Sequence, residues 1–365
     1  MYKIIIRVAV AVILSLTVAF FAALPMAESG IPEESTPPDI PTVVDPVVPE
    51  EVVDVSKAEY GYSEMEEDLA GLEAKGEGRL TYSPVGESLD GRKIYAVILG
   101  NENAEKQIVI SAGIHAREYM TPLLVMKQIE YYLDNYDTGE YKGVKYSDIF
   151  NEYAFCILPM CNPDGIALVQ EGLGALRSVA LRDAVIGAYN SDKASTPDFA
   201  ELEISEYLKY WKSNGRGVDI NRNFDTPAWQ NNAVRRPCFT DCRGEYPLSE
   251  PESRAMADFV ESLTNPVLSL AIHSRGEVIF YDCGQEDKSE EHSLAMLVSG
   301  VNGYSVSNNA RSVAAFDDWC VINKNITSVT VETGISSCPL PIEEFTKIWK
   351  DNRDLWAAVA VLGEY

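Results

Sequence analysis

His115 and Glu118 stand three residues apart in His-Ala-Arg-Glu, directly after the apolar run Gln107–Gly113. At that spacing an imidazole nitrogen and a carboxylate can converge on one cation. Two such ligands and a distant third leave a coordination position open for water, the layout of catalytic zinc. A His-x-x-Glu pair also occurs as a plain surface pair, so the remaining histidines matter. The chain has three. His273 closes a second apolar run, Leu268-Ser-Leu-Ala-Ile-His273, and is either a buried histidine bonded to a backbone carbonyl or the third ligand. Beside His115 and Glu118 the ligand reading is preferred. His292, in Glu290-Glu291-His292-Ser293, reads as part of a solvated helix face.

Glu332 interrupts the β-branched run Ser328-Val-Thr-Val-Glu332 just before Thr333-Gly334. A carboxylate on such a strand is costly to bury unless it is paired, metal-bound or shifted in pKa. It is an edge-strand residue facing water, or a general base taking a proton from a water that zinc acidifies to a pKa of about 7. Each apolar run reads as a buried strand with its polar residue at the exit. Sites in open α/β sheets gather outside the carboxyl ends of strands.

These residues carry a resemblance. The chain resembles the zinc metallocarboxypeptidases of the carboxypeptidase A/B type from about Tyr60 to the C-terminus. The resemblance runs through Tyr60–Met65, Gly86–Tyr95, Gly113–Glu118, Asn162–Gly165, Gly217–Phe224, Ala271–Ser274 and Thr330–Thr333. It implies a single zinc ion per chain held by His115, Glu118 and His273, with Glu332 as general base. It further implies that Asp219 holds the ring of His115, and that Asn221 and Arg222 bind the terminal carboxylate of a substrate. A guanidinium suits that task because it forms a two-pronged fork. Arg117 either helps to position substrate or is a plain surface arginine. In that family an arginine near the position of Trp211 stabilises the oxyanion of the tetrahedral intermediate. Here Lys212 follows Trp211, with Arg216 four further on, so the donor is Arg216 or Lys212; Arg216 is the preferred expectation.

The surrounding composition reads as one enzyme domain. Of 365 residues, 46% are hydrophobic, enough for a large core. Alternating strand and helix patterns from about residue 80 predict an α/β class, and the resemblance implies an α/β/α sandwich around a mixed, twisted sheet. Ser249-Glu-Pro-Glu252 matches a capping box opening a helix from Pro251 to Leu263. Pro341 to Gly363 reads as a closing helix, and Gly165 to Gly215, the least periodic stretch, as loops bordering the site.

Lys3 and Arg7 precede the uncharged run Val8–Leu24, with small residues near Ala27. Residues 1–27 therefore read as a secretory signal peptide, or as a membrane anchor if uncleaved. Residues 28–57, rich in Pro, Glu, Asp and Val, read as an extended linker, and 58–365 as the catalytic domain. The expected protein is a secreted monomer. Net charge is −26, of which 28–70 supply −12 from 13 acids and one lysine. This argues against nucleic-acid partners and against adsorption to anionic membranes.

Seven cysteines are an odd number for an exported chain. Cys238 and Cys242 flank a short loop and are one candidate pair; Cys283 and Cys320 are another. Cys161 as a thiol nucleophile would need a base, and both site histidines are better assigned to metal. No Gly-x-Ser-x-Gly elbow is present, which disfavours a serine hydrolase. A binding module that merely retained zinc would have no use for Glu332.

Four segments resemble the bacterial branch that cuts γ-D-glutamyl-diamino acid bonds in peptidoglycan stem peptides: Ile157–Gly165, Trp211–Asp219, His273–Phe280 and Cys338–Pro341. An ordinary secreted carboxypeptidase is the alternative. The resemblance also aligns Asp317, two before Trp319, with the position that tunes side-chain preference. A carboxylate there suits an ammonium group. In the cell-wall branch a basic residue is expected, so Asp317 departs from it. Arg275 or Arg311 would then be left to meet a second carboxylate on the substrate.

Overall fold

A computed structural model describes residues 51–308 and 313–363. The expected signal peptide, most of the expected linker and Arg311 lie outside them. Strand-forming segments are β1 (Leu80–Glu87), β2 (Lys93–Leu99), β3 (Lys106–Ser111), a short hairpin of β4 (Glu140–Tyr141) and β5 (Val144–Lys145), β6 (Tyr153–Leu158), β7 (Pro266–His273), β8 (Val278–Phe280), β9 (Ser305–Ser307) and β10 (Thr327–Glu332). Eight of them make one mixed sheet in the order β1-β2-β6-β3-β7-β10-β8-β9. Its centre, β6-β3-β7-β10, is parallel. The outer pairs β1-β2, β2-β6 and β8-β10 are antiparallel. This is the expected α/β/α architecture.

The alternation along β3 explains the layering. Ile108 and Ile110 join one core with Leu123, Ile129 and Trp356, while Val109 joins a second with Met256, Phe259 and Trp319. The first core is covered by α1 (Tyr62–Gly76) and α2 (Met120–Asp134). Helices between α2 and the second cover are α3 (Tyr146–Glu152), α4 (Pro163–Glu171), α5 (Val179–Ser195) and α6 (Ile204–Leu208). The second core packs under α7 (Pro251–Ser262) and α9 (Phe316–Lys324). Between those two lies α8 (Ser289–Asn302), and the chain closes with α10 (Phe345–Asn352) and α11 (Leu355–Leu362).

Four expectations need correction. The tail of the presumed linker is packed: Val53 is fully buried, and the N–H groups of Val52 and Val53 donate to the Glu130 carboxylate at 2.5 and 3.2 Å. A buried acceptor on α2 fixes that backbone despite its linker-like composition. The 165–215 stretch is substantially helical, since α5 alone has 17 residues. Its buried stripe is Leu181, Val185, Ala188 and Asp192, properly spaced for a helix but half of it weakly apolar. The capping box does not form. Glu250 is the N-cap of α7, without a side-chain cap, because the Glu252 carboxylate instead accepts from Asn214 Nδ2 and from the Leu89 N–H. The closing helix is two helices, broken at Arg353–Asp354.

Candidate active site

The carboxyl ends of β3, β7 and β10 bring the chemistry together. His273 is the last residue of β7 and Glu332 the last of β10, and the two are register partners in the parallel pair. His115 and Glu118 follow β3 in a turn that enters α2. Gly113 permits that turn: its φ is +63°, and a Cβ there would meet Pro122 Cγ at 2.9 Å.

His115 Nδ1 lies 2.9 Å from Glu118 Oε1, and His273 Nδ1 lies 3.0 Å from Glu118 Oε2. The two Nδ1 atoms are 3.2 Å apart. All three side chains are buried, and their ligand atoms lie within 4.8 Å of one another. Two imidazole nitrogens facing each other beside a carboxylate make a metal-donor set, and two nitrogens and one oxygen suit zinc. The far side of the His115 ring, Nε2, faces Asp219 Oδ1 at 3.5 Å. Asp219 is itself fixed by the N–H groups of Asn221 (3.1 Å) and Asp241 (2.9 Å).

Electrostatics separate the carboxylates. Burial opposes ionisation of Glu118, but His115 and Lys212 outweigh it and hold the group well below the usual range. Asp219 is likewise buried, yet Arg222 and His115 keep it far below the usual range. Glu332 is the opposite case: burial, reinforced by the charge of Glu118, pushes it up to about 7. Its Oε2 is buried without a hydrogen-bond partner among the described residues. Groups whose environments pull their proton affinities apart are the expected pattern for acid–base work.

A cavity of about 260 Å³ opens on these groups, lined by His115, His273, Glu332, Lys212, Asn221 and Arg222. Asp317, Asp318, Asp282, Thr330 and Phe280 line it too. Arg222 is held by Asp241 through Nε at 2.9 Å, and Asn221 Oδ1 accepts from the Phe316 N–H at 2.9 Å. Asp317 is buried and accepts from Thr330 Oγ1 at 2.7 Å. Asp282 is paired with Lys288. A larger cavity, about 740 Å³, lies at the opposite strand ends beside Pro266 and Thr327 and holds none of these residues.

Arg216 is a correction. Its guanidinium grips Glu250 through Nε at 2.8 Å and Nη2 at 2.7 Å and does not line the cavity. Glu250 is fully buried and needs a cation, which is why Arg216 turns toward it. Lys212 does line the cavity, with Nζ 3.6 Å from Glu118 Oε1. Arg117 is half-buried, does not line the cavity, and its Nε has no hydrogen-bond partner among the described residues. Arg275 is exposed and donates to the Ile335 carbonyl. His292 is exposed, as expected. Neither Cys238 and Cys242 nor Cys283 and Cys320 are joined in this structure.

Asn162 has a role that its motif only hinted at. Its Oδ1 caps α4 at the Gly165 N–H (3.0 Å), and its Nδ2 donates to the carbonyls of Ile114 (3.0 Å) and Ser213 (3.1 Å). It thereby ties the His115 turn to the loop carrying Lys212. An Asn-Pro pair is a helix-start signal; the second half of its work is long-range. Asp241, the anchor of Arg222, carried no such signal.

The sequence model of the zinc carboxypeptidase family matches residues 65–355. Gamma-D-glutamyl-L-diamino acid endopeptidase 1 of Lysinibacillus sphaericus is 31% identical over 303 residues, covering 82% of this chain and 72% of that protein. Carboxypeptidase B of Rattus norvegicus is 25% identical over 225 residues, covering 60% of this chain and 47% of that one. Among solved structures, thrombin activatable fibrinolysis inhibitor superposes with a TM-score of 0.64 at 18% identity, covering 86% of this chain and 79% of that one. At that identity the likeness speaks for the fold.

Proposed function

The chain belongs to the zinc carboxypeptidase family, and from that premise we propose that it hydrolyses the γ-D-glutamyl bond to a diamino acid in peptidoglycan stem peptides. The protein is a metallopeptidase with zinc as its cofactor. His115, Glu118 and His273 would hold the ion. When bound, zinc polarises the scissile carbonyl and acidifies water.

The chain's own residues do the rest. Glu332, held near neutrality by burial and Glu118, takes a proton from the attacking water and delivers it to the departing nitrogen. The Lys212 ammonium, beside Glu118, offsets negative charge on the oxygen of the tetrahedral intermediate. Asp219 orients the His115 ring. Asn221 and Arg222 grip a free carboxylate on the leaving residue, and Arg222 is pre-set by Asp241.

The likeness to the Lysinibacillus endopeptidase is the observation that carries the cell-wall reading; Asp317, which departs from the basic residue expected in that branch, supports only a cationic leaving residue. Asp317 is buried in the wall of the cavity that Arg222 also lines, and among the described residues it accepts from neutral partners, the Thr330 hydroxyl and more weakly the Cys283 thiol. An ammonium on the leaving side chain would meet it while Arg222 holds the α-carboxylate. A diamino acid has both groups. The Lysinibacillus relative, by its name, acts on such a residue. The same cavity would take the C-terminal lysine of an ordinary peptide, which is the second reading. The apolar segment 8–24 supports export of the enzyme.

The deciding experiment compares the zinc-loaded protein on γ-D-Glu-L-Lys and γ-D-Glu-meso-diaminopimelate peptides, on α-linked peptides ending in lysine or leucine, and on their amides. Preference for the γ-linked acids supports the proposal. Faster turnover of α-linked lysine peptides favours the second reading, and equal turnover of acids and amides would remove the carboxylate grip.

A further inference from the structure

The loop Cys238–Cys242 lies outside the cavity but bonds to several of the residues that shape it. The Phe239 carbonyl accepts from the N–H groups of Lys212 (2.7 Å) and Ser213 (3.2 Å). The Cys238 carbonyl accepts from Ser213 Oγ at 2.7 Å, and its N–H donates to the Gly217 carbonyl at 3.0 Å. The Cys242 carbonyl accepts from the Asp219 N–H at 2.9 Å. Asp241 reaches in two directions, through its N–H to Asp219 Oδ2 at 2.9 Å and through its carboxylate to Arg222. Thus one short loop fixes the proposed oxyanion donor, the carboxylate behind His115 and the substrate's arginine.

Its two ends are cysteines, and they meet. Cys238 and Cys242 are both buried and pack with Val218 and Val234 in a small cluster of their own. Their sulfur atoms interact directly, which lifts the Cys238 thiol and holds the Cys242 thiol below its usual pKa. Among the described residues, the groups that gather three metal-ligating atoms do not include this pair, so shared metal binding does not explain it. Cys238 Sγ also donates to the Thr240 carbonyl within the same loop, at 2.8 Å.

We propose that Cys238 and Cys242 form an intramolecular disulfide that staples this loop and with it the positions of Lys212, Asp219 and Arg222. The oxidant is a low-molecular-weight disulfide. The Cys242 thiolate attacks it, giving a mixed disulfide and releasing one small thiol. The Cys238 thiolate then attacks the Cys242 sulfur and releases the second, so two protein thiols and one small disulfide become one protein disulfide and two small thiols. Exchange occurs while the loop is open, and closure buries the product.

The test begins with full-length protein brought to equilibrium in glutathione redox buffers, once from the reduced and once from the oxidised side. It is then denatured, alkylated and digested with trypsin. Both cysteines fall in one peptide, Arg236–Arg243, because Pro237 blocks cleavage after Arg236. The expected peptide is unalkylated and lighter by two hydrogens in oxidising buffer. Alkylation of both cysteines from both starting points would overturn the cross-link. This arm reads mass and is independent of the substrate reading. For the link to the site, KM for a free-carboxylate substrate is measured with and without reductant in the wild type and in Cys238→Ser/Cys242→Ser. The wild type should lose affinity several-fold on reduction, more than kcat changes, and the variant should not respond. A wild type whose bond is broken yet whose KM is unmoved would refute the staple's role. A reductant response shared by both proteins would place the effect at another cysteine and refute it equally.

Discussion

Glu332 and His273 are register partners at the ends of two adjacent parallel strands, with the Thr333 N–H bonded to the His273 carbonyl at 2.8 Å. A ladder hydrogen bond thus fixes the distance between a proposed base and a metal ligand, and no loop need order to create it. Glu332→Gln keeps that frame and removes the proton acceptor. Metal content should stay at one ion per chain while kcat falls by about 10²–10⁴, the usual worth of general base catalysis. A variant that keeps more than roughly a tenth of the rate would assign the base to another group.

Metal removal tests the ligand set by stability as well as by rate. A ligand that binds only the folded state stabilises it by RT ln(1 + [L]/Kd), about 4 kcal/mol at a thousand-fold excess over Kd. Chelation should therefore abolish activity and lower Tm. In His273→Ala, Tm should no longer respond to zinc or chelator, as judged by scanning calorimetry with metal analysis. An unchanged zinc response in that variant would mean that the site lies elsewhere.

Lys212 and Arg216 make a matched pair for assigning the oxyanion donor. Lys212→Ala should lower kcat by about 10²–10³, the range for losing one such donor, with little effect on folding. Arg216→Ala strands the fully buried Glu250 and should cost stability, on the order of 3–5 kcal/mol for breaking a buried pair before discounting for the partial exposure of Arg216. Its kcat, measured where the protein is folded, should change far less. The opposite assignment predicts the reverse pattern.

That pair also shows where sequence reading stopped. His115, Glu118, His273 and Glu332 were legible because each closes or follows an apolar run, and runs predict strands whose ends converge in a parallel sheet. Lys212 and Arg216 lie within five residues of each other after a buried tryptophan, and nothing local says which way each turns. The answer is Glu250, 34 residues beyond Arg216. Likewise Ser249-x-x-Glu252 has the right spacing for a capping box, but Asn214 and the Leu89 backbone compete for the Glu252 carboxylate and win. The helix α5 was missed because an alanine and an aspartate occupy half of its buried stripe. For Arg216 and Glu252 the deciding partner is distant in sequence, whereas for α5 the local pattern itself is weak.

Glu252 gives a pH prediction. Burial, with Asp164 and Glu250 nearby, pushes its carboxyl up to about 8. The unfolded chain releases this proton near pH 4.5, and the folded chain keeps it to about pH 8. Between those values the folded state binds more protons, so stability falls as pH rises through the window and levels off above it. Glu252→Gln cannot ionise and should show a shallower decline of Tm from pH 5 to 8 than the wild type. Identical slopes would mean that Glu252 does not titrate there.

Asp317 is the residue on which the reading of a cationic leaving residue turns. It is buried in the wall of the catalytic cavity, bonded to Thr330 Oγ1 and close to the Cys283 thiol, with Asp318 beside it in sequence. The hydroxyl and the thiol are both neutral, which leaves Asp317 to pair with a cationic side chain of the leaving residue. Asp317→Lys places like charge against that side chain, and like-charge juxtaposition costs several kcal/mol. The variant should lose kcat/KM for leaving lysine or diaminopimelate by about 10²-fold or more, a loss of roughly 3 kcal/mol. Turnover of a leaving leucine should be largely kept. Asp317→Asn separates charge from folding, since the amide can still accept from Thr330, and it should show a smaller loss with the same order of substrates. If all three substrates fall in parallel in both variants, Asp317 supports the cavity wall and does not read the side chain.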